Sequence, residues 1–177
     1  METETPEGQQ QIMMIIEEAQ RLRGWIANSY AQIEYLLGDL IVRSLKMPEY
    51  KHLATTLPHG APDRVKRVRR IIETGGWVDQ FSQELSEMLY SFEKKHETRN
   101  LLAHGFCEFL YTSDGDAGMR FSKWHRQQDR EDARLQKTFR LNDLQREQTE
   151  LAAVASRAVE LFYKIHADLG LVGPGDN

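Results

Sequence analysis

The chain has 177 residues, 40% hydrophobic and 28% charged, with a formal net charge of -4. That is enough for one compact core and short for two, and the balance excludes wholesale disorder. No apolar run approaches the roughly 20 residues that cross a bilayer, and a net acidic chain can meet a nucleic acid only through a local concentration of Lys and Arg.

One domain over residues 1–177 is therefore expected, with flexible ends at about 1–9 and 170–177. The start, Met1 to Gln11, is acidic and polar and lacks the basic flank and apolar stretch of a secretory signal, so a cytoplasmic location without membrane attachment is expected. The only cysteine, Cys107, allows no intramolecular disulfide and no thiolate metal cluster. The remaining histidines show no ligand spacing and no Gly-rich phosphate loop occurs, so neither a metal nor a cofactor is expected.

From about Gln10 to Leu45, apolar residues recur at helical spacing (Ile12, Ile15, Ile16, Ala19, Ile26, Tyr30, Ile33, Leu37, Leu40, Ile41), which predicts a long first helix. Gly24 and Gly38 interrupt it and mark a bend or a close approach. After the loop signals Pro58, Gly60 and Pro62, Asp63 precedes Val65, Val68, Ile71 and Ile72, a short second helix ending near Gly75 and Gly76.

A third helix is predicted from Trp77 to His104, with Phe81, Leu85, Met88, Leu89 and Phe92 on one face and Gly105 as its stop. Phe106 to Tyr111 and Met119 to Trp124 flank a polar turn and read as a β-hairpin. Alternation from Leu135 to Leu141 suggests a third strand. Asn142 and Gln145 then resemble a capping box opening a last helix through Leu151, Val154, Ala158, Leu161, Phe162 and Ile165 to Leu169. The expected fold is mainly α: a four-helix up-and-down bundle with a small antiparallel hairpin or three-stranded element inserted between helices three and four.

The stretch that carries chemistry is Thr98-Arg99-Asn100-Leu101-Leu102-Ala103-His104-Gly105. Residues four apart share a helix face, so Asn100 stacks on His104 and is placed to orient its imidazole, with Arg99 about 100° around the helix. Extending the apolar stripe of the third helix reaches His96, Arg99 and Ala103, which turns His96 and Arg99 inward. A buried Arg needs a partner, and Glu34 on the first helix is the expected one.

An Arg, a polar residue that is often Asn, and a His after a short spacer resembles the motif of the HEPN superfamily. Arg99, Asn100 and His104 match it with a four-residue spacer. The resemblance implies a helical bundle that pairs as a homodimer, with two motifs facing each other across a cleft, and a metal-independent endoribonuclease of the toxin or phage-defence kind. It implies RNA as substrate, and an antitoxin or other regulatory protein as a further candidate partner. It also leaves open a second class, a non-catalytic module for dimerisation or for nucleotide or RNA binding.

Further RNA contacts are expected at Arg64, Lys66, Arg67, Arg69 and Arg70, five cations within seven residues, and at Lys123 and Arg126 beside Trp124. The plainer reading of the first group is a solvated face paired with carboxylates. For Trp124, packing onto the helices is the expectation, with base stacking as the alternative.

Overall fold

The computed structural model describes residues 6–53, 56–111, 117–125 and 133–169. Arg126, the charged stretch 127–132, most of the expected hairpin turn and the C-terminal tail lie outside these residues, whereas the expected flexible start is helical from Pro6. In chain order the elements are α1 (Pro6–Ser44), α2 (Ala61–Thr74), α3 (Ser82–Glu93), α4 (His96–His104), β1 (Phe106–Tyr111), β2 (Ala117–His125), β3 (Ala133–Arg140) and α5 (Leu141–Asp168). Short 3-10 turns occupy Pro48–Tyr50 and Asp79–Phe81. No helix among the described residues is long and apolar enough to cross a membrane.

The mainly helical class and the three-stranded antiparallel sheet, in order β1-β2-β3, match the expectation. The expected single third helix is two. The backbone tightens to an i→i−3 bond at Lys95 N to Phe92 O (3.0 Å), and α4 restarts at His96. From Glu93 to Asn100 there is no apolar side chain, so no buried stripe holds the helix in phase. The extrapolated stripe fails for that reason. Leu101 and Leu102 are the buried residues of α4, Ala103 is exposed, and His96 and Arg99 are half-buried. The capping pair before α5 is shifted too: Asp143 Oδ2 accepts from Arg140 N (3.0 Å), so the acid of the box is Asp143 rather than Gln145.

The chain divides into two compact units, Met1–Asn28 with His96–Glu150, and Ser29–Lys95 with Leu151–Asn177. The first unit buries Ala19, Leu22 and Ile26 of α1, Leu101 and Leu102 of α4, Leu144 of α5, and Met119, Phe121 and Phe139 of the sheet. Phe121 and Phe139 meet edge to face at 5.9 Å. Register explains the choice. Cys107, Phe121 and Lys137 are aligned across the three strands, as are Phe109, Met119 and Phe139, so the buried Met119, Phe121 and Phe139 share one sheet face.

The second unit packs Tyr30 onto Phe92 (4.2 Å between centroids) and buries Ile33, Leu37, Leu40, Ile41, Val65, Val68, Ile71, Leu85, Leu89, Phe162 and Ile165. Gly75 and Gly76 have φ of 74° and 95°, a left-handed turn that leads out of α2. Tyr50 donates its hydroxyl to Gly75 O (2.6 Å) and fixes that turn. Gly38 is a site of close approach rather than a bend: a Cβ there would lie 3.4 Å from Arg64 Nη1.

Candidate functional site

Nine residues of helix are too few to be stable alone, so α4 depends on what grips it. Leu101 and Leu102 anchor it in the first unit. Arg23 of α1 donates from Nε to Leu102 O (2.6 Å) while its guanidinium lies over the Phe121 ring at 5.2 Å. A cation there satisfies a carbonyl at the helix C-terminus and opposes its negative dipole end. Gly105 completes the junction. An added Cβ would stand 2.5 Å from Leu101 O and 3.3 Å from Phe121 Cβ, so only glycine lets α4 turn into β1 while pressed against β2.

This junction fixes where the motif side chains emerge. Asn100 is half-buried, and its Oδ1 accepts a hydrogen bond from Lys123 Nζ (3.1 Å). Lys123 lies on the inner face of β2, two residues beyond Phe121, so the same alternation that buries Phe121 sends Lys123 toward α4. His104 is exposed in the last turn, one turn from Asn100 on the same face, and its imidazole makes no hydrogen bond to another described residue. Arg99 and His96 are half-buried and each is engaged by a partner.

Arg23 and Lys123 thus each bond one residue of the short helix that also carries Arg99 and His104. Among the described residues the hydrogen bonds of Arg23 and Lys123 go to neutral oxygens, a carbonyl and an amide, which aim their charged groups. Cations and an imidazole borne by one helix and the residues bonded to it are the groups that phosphate binding and proton transfer use. Cys107 is not an activated nucleophile: burial pushes its thiol up, and the Arg23 charge opposes this only partly. Among the described residues no group of His, Cys, Asp and Glu has the arrangement of a metal site.

Other expected residues fall elsewhere. Glu34 belongs to the second unit, where Arg64 is its cationic neighbour at 3.8 Å. Its expected pairing with Arg99, a residue of the first unit, stays an expectation. Arg64 also donates to Pro58 O and Glu34 O (2.9 Å each), so it is an internal tie of α2 and not an open phosphate ligand. Lys66 pairs with Asp63, Arg69 with Glu93, and Arg67 has a partner of its own. Lys66 and Arg69 thus have the carboxylate partners of the plainer reading, while Arg70 is exposed. Trp124, expected to pack, is 71% exposed.

Arg23 was not among the residues singled out from sequence. Its signal was its place beside the apolar stripe of α1, four residues from both Ala19 and Ala27 and three from Ile26, where a charge needs a reason. Comparison with protein-family models, with curated proteins and with solved structures finds no match for this chain.

Proposed function

We propose that the chain is a metal-independent endoribonuclease with its site at the C-terminal end of α4. The observation that carries the reading is that Lys123 bonds Asn100 and Arg23 bonds Leu102 on the same short helix that bears Arg99 and His104, at a junction where a Cβ on residue 105 would clash with Leu101 O. The resemblance of the Arg-Asn-His spacing to the HEPN motif adds to it, and a four-helix bundle pairing as a homodimer belongs to the same proposal.

In this mechanism a base takes the proton of a ribose 2′-OH, O2′ forms a bond to the adjacent phosphorus, and the P–O5′ bond breaks. O5′ then receives a proton, and the products are a 2′,3′-cyclic phosphate and a 5′-OH. His104 serves as base or acid, and the His104 of a second copy takes the other role. Arg99 and Lys123 stabilise the charge that builds on the phosphorane, Arg99 through its forked guanidinium. Asn100, held by Lys123, sets the spacing between the cation and the imidazole.

The test is incubation of mixed RNA with wild-type protein and with His104→Ala in EDTA, followed by analysis of fragment ends. Cyclic phosphates formed by wild type and reduced about 10²- to 10⁴-fold in the variant are the expected result. A second reading, a module that binds RNA or nucleotide and does not cut, is favoured by the exposure of His104 and its lack of an orienting bond from another described residue. Intact RNA with both proteins, across several substrates, selects that reading. A regulatory partner such as an antitoxin would then act on binding rather than on cleavage.

A further inference from the structure

The outward face of the sheet is unlike the outer face of an ordinary half-buried sheet. By register it carries Phe106, Glu108 and Leu110 from β1, Gly118, Arg120, Ser122 and Trp124 from β2, and Arg134, Gln136, Thr138 and Arg140 from β3. Solvent-facing strand positions favour polar side chains, yet Phe106 is 68% and Trp124 71% exposed, among the largest exposures of aromatic side chains in the chain. They are neighbours on this face. Phe106 is opposite Ser122, and Trp124 is two residues further along β2, which makes the two aromatics diagonal partners about 7–8 Å apart.

The polar part of the face is arranged around them. Arg134 Nη2 and Gln136 Nε2 both donate to Ser122 Oγ (3.1 and 3.2 Å), which ties the buried Ser122 side chain to β3. Three arginines, Arg120, Arg134 and Arg140, stand against one acid, Glu108, which lies 3.9 Å from Arg120 and leaves an excess of positive charge on this face, in a chain whose net charge is -4. The local charge is therefore opposite in sign to that of the whole protein, and aromatic rings sit among the cations. Flat rings that accept any base by stacking, with cations for the backbone, are what binding of a single strand requires. A duplex keeps its base faces stacked inside and has no use for the rings.

The face is also continuous with the motif. Phe106 follows His104 by two residues across Gly105, and Trp124 follows Lys123 directly. Lys123 lies on the inner face toward Asn100 and Trp124 on the outer one, so the β1–β2 end of the sheet carries the phosphate cluster on one side and the stacking rings on the other.

We infer that the outer face of the sheet is a single-stranded RNA platform, with unpaired bases stacking on Phe106 and Trp124 and Arg120 and Arg134 holding the backbone. The inference rests on the reading of the first unit as an RNA-processing site and names the form of its substrate: an unpaired segment, delivered base-first to the sheet with its backbone turned toward α4.

The experiment measures binding of a fluorescein-labelled 12-nucleotide single-stranded RNA, and of the same RNA as a duplex, by anisotropy. Proteins in the His104→Ala background prevent cleavage during the titration, and wild-type cleavage of the same oligonucleotide is followed in parallel. The Phe106→Ala/Trp124→Ala double variant is expected to bind the single strand at least about tenfold more weakly, with little change on the duplex. Phe106→Tyr/Trp124→Phe, which keeps two rings, is expected to restore binding. Arg120→Gln/Arg134→Gln is expected to reduce the salt dependence of log Kd by roughly 1.4.

Unchanged single-strand affinity in the double alanine variant overturns the platform, whatever wild type does to RNA; if that variant also converts a self-associated protein to a smaller species, the face is a contact between copies. Loss of affinity without any wild-type cleavage keeps the platform and removes the nuclease reading. Cleavage with undiminished affinity in the double alanine variant does the reverse.

Discussion

Two regions of this protein are rich in positive charge, and they use it in opposite ways. Helix α2 holds five cations within seven residues, yet Arg64 ties the loop and α1 through Pro58 O and Glu34 O, and Lys66 and Arg69 are matched by Asp63 and Glu93. The α4 junction draws Arg23, Arg99 and Lys123 from three distant stretches of sequence. There Arg23 and Lys123 bond a carbonyl and an amide oxygen. A carboxylate cancels a cation at the distance where a phosphate would sit, whereas a neutral oxygen only aims it. Density of charge along the chain is thus a poor guide to where an anion binds.

The largest effect expected on this contrast is from Arg64→Ala. It leaves the carbonyls of Pro58 and Glu34 without their donor and opens space beside Gly38, a loss of about 2–4 kcal/mol in urea unfolding. RNA affinity of the folded variant should be unchanged. Equal loss of stability and of RNA affinity would break the division between the two clusters.

Tyr50 sharpens the structural side of the comparison. Its hydroxyl is buried against Gly75 O, and burial with the nearby charges of Glu49 and Asp79 pushes its pKa up to about 12. The unfolded chain gives up this proton near pH 10 and the folded protein keeps it. The stabilisation is complete below pH 10 and disappears as pH rises from about 10 to 12. Two units correspond to about 2–3 kcal/mol. Tyr50→Phe should flatten that alkaline limb, read as the difference between the two urea midpoints at pH 8 and pH 11.

Lys123→Ala is the mirror of Arg64→Ala. It removes one hydrogen bond at a half-buried site, so stability falls by no more than about 1 kcal/mol. RNA binding should weaken several-fold with a lower salt slope. Unchanged binding would mean that Lys123 only braces Asn100 and that the phosphate cluster is smaller than drawn.

How much of this was legible beforehand depends on whether a local pattern decides the matter. The long stripes of α1 and α5 and the alternation of the strands fix burial by period, and the structure follows them. The break between α3 and α4 was hidden because it has no Gly or Pro. Eight polar residues in a row simply leave the helix without a face to bury. The motif residues could be named, but their neighbours could not. Lys123 meets Asn100 and Arg23 meets Leu102 only through sheet register and helix packing, contacts 23 and 79 residues apart in sequence. The same register puts Trp124 on the sheet face opposite Phe121, away from the buried Met119, Phe121 and Phe139.

The smallest effect concerns His166, which separates a histidine placed for structure from His104, placed at the surface. His166 is buried in the second unit with Nε2 3.1 Å from Asp39 Oδ2, yet neither ring nitrogen has an aligned hydrogen-bond partner, and Asp39 already accepts from Arg43 Nε at 2.7 Å. Burial holds the imidazole below its usual pKa. The Asp39 charge pulls it back up, and Arg43 pushes it further down. The folded state therefore resists a proton that the unfolded chain accepts near pH 6.5, so the unfolded state binds more protons and stability falls as pH drops below that value. The burial is harmless at neutral pH and becomes a cost in acid. His166→Gln cannot titrate and should make the urea midpoint less dependent on pH between 7.5 and 5.5 than in wild type. A steeper dependence in the variant would mean that Asp39 keeps the imidazole charged in the folded state, and that the Asp39–His166 contact is an ion pair holding α5 to α1 within this unit.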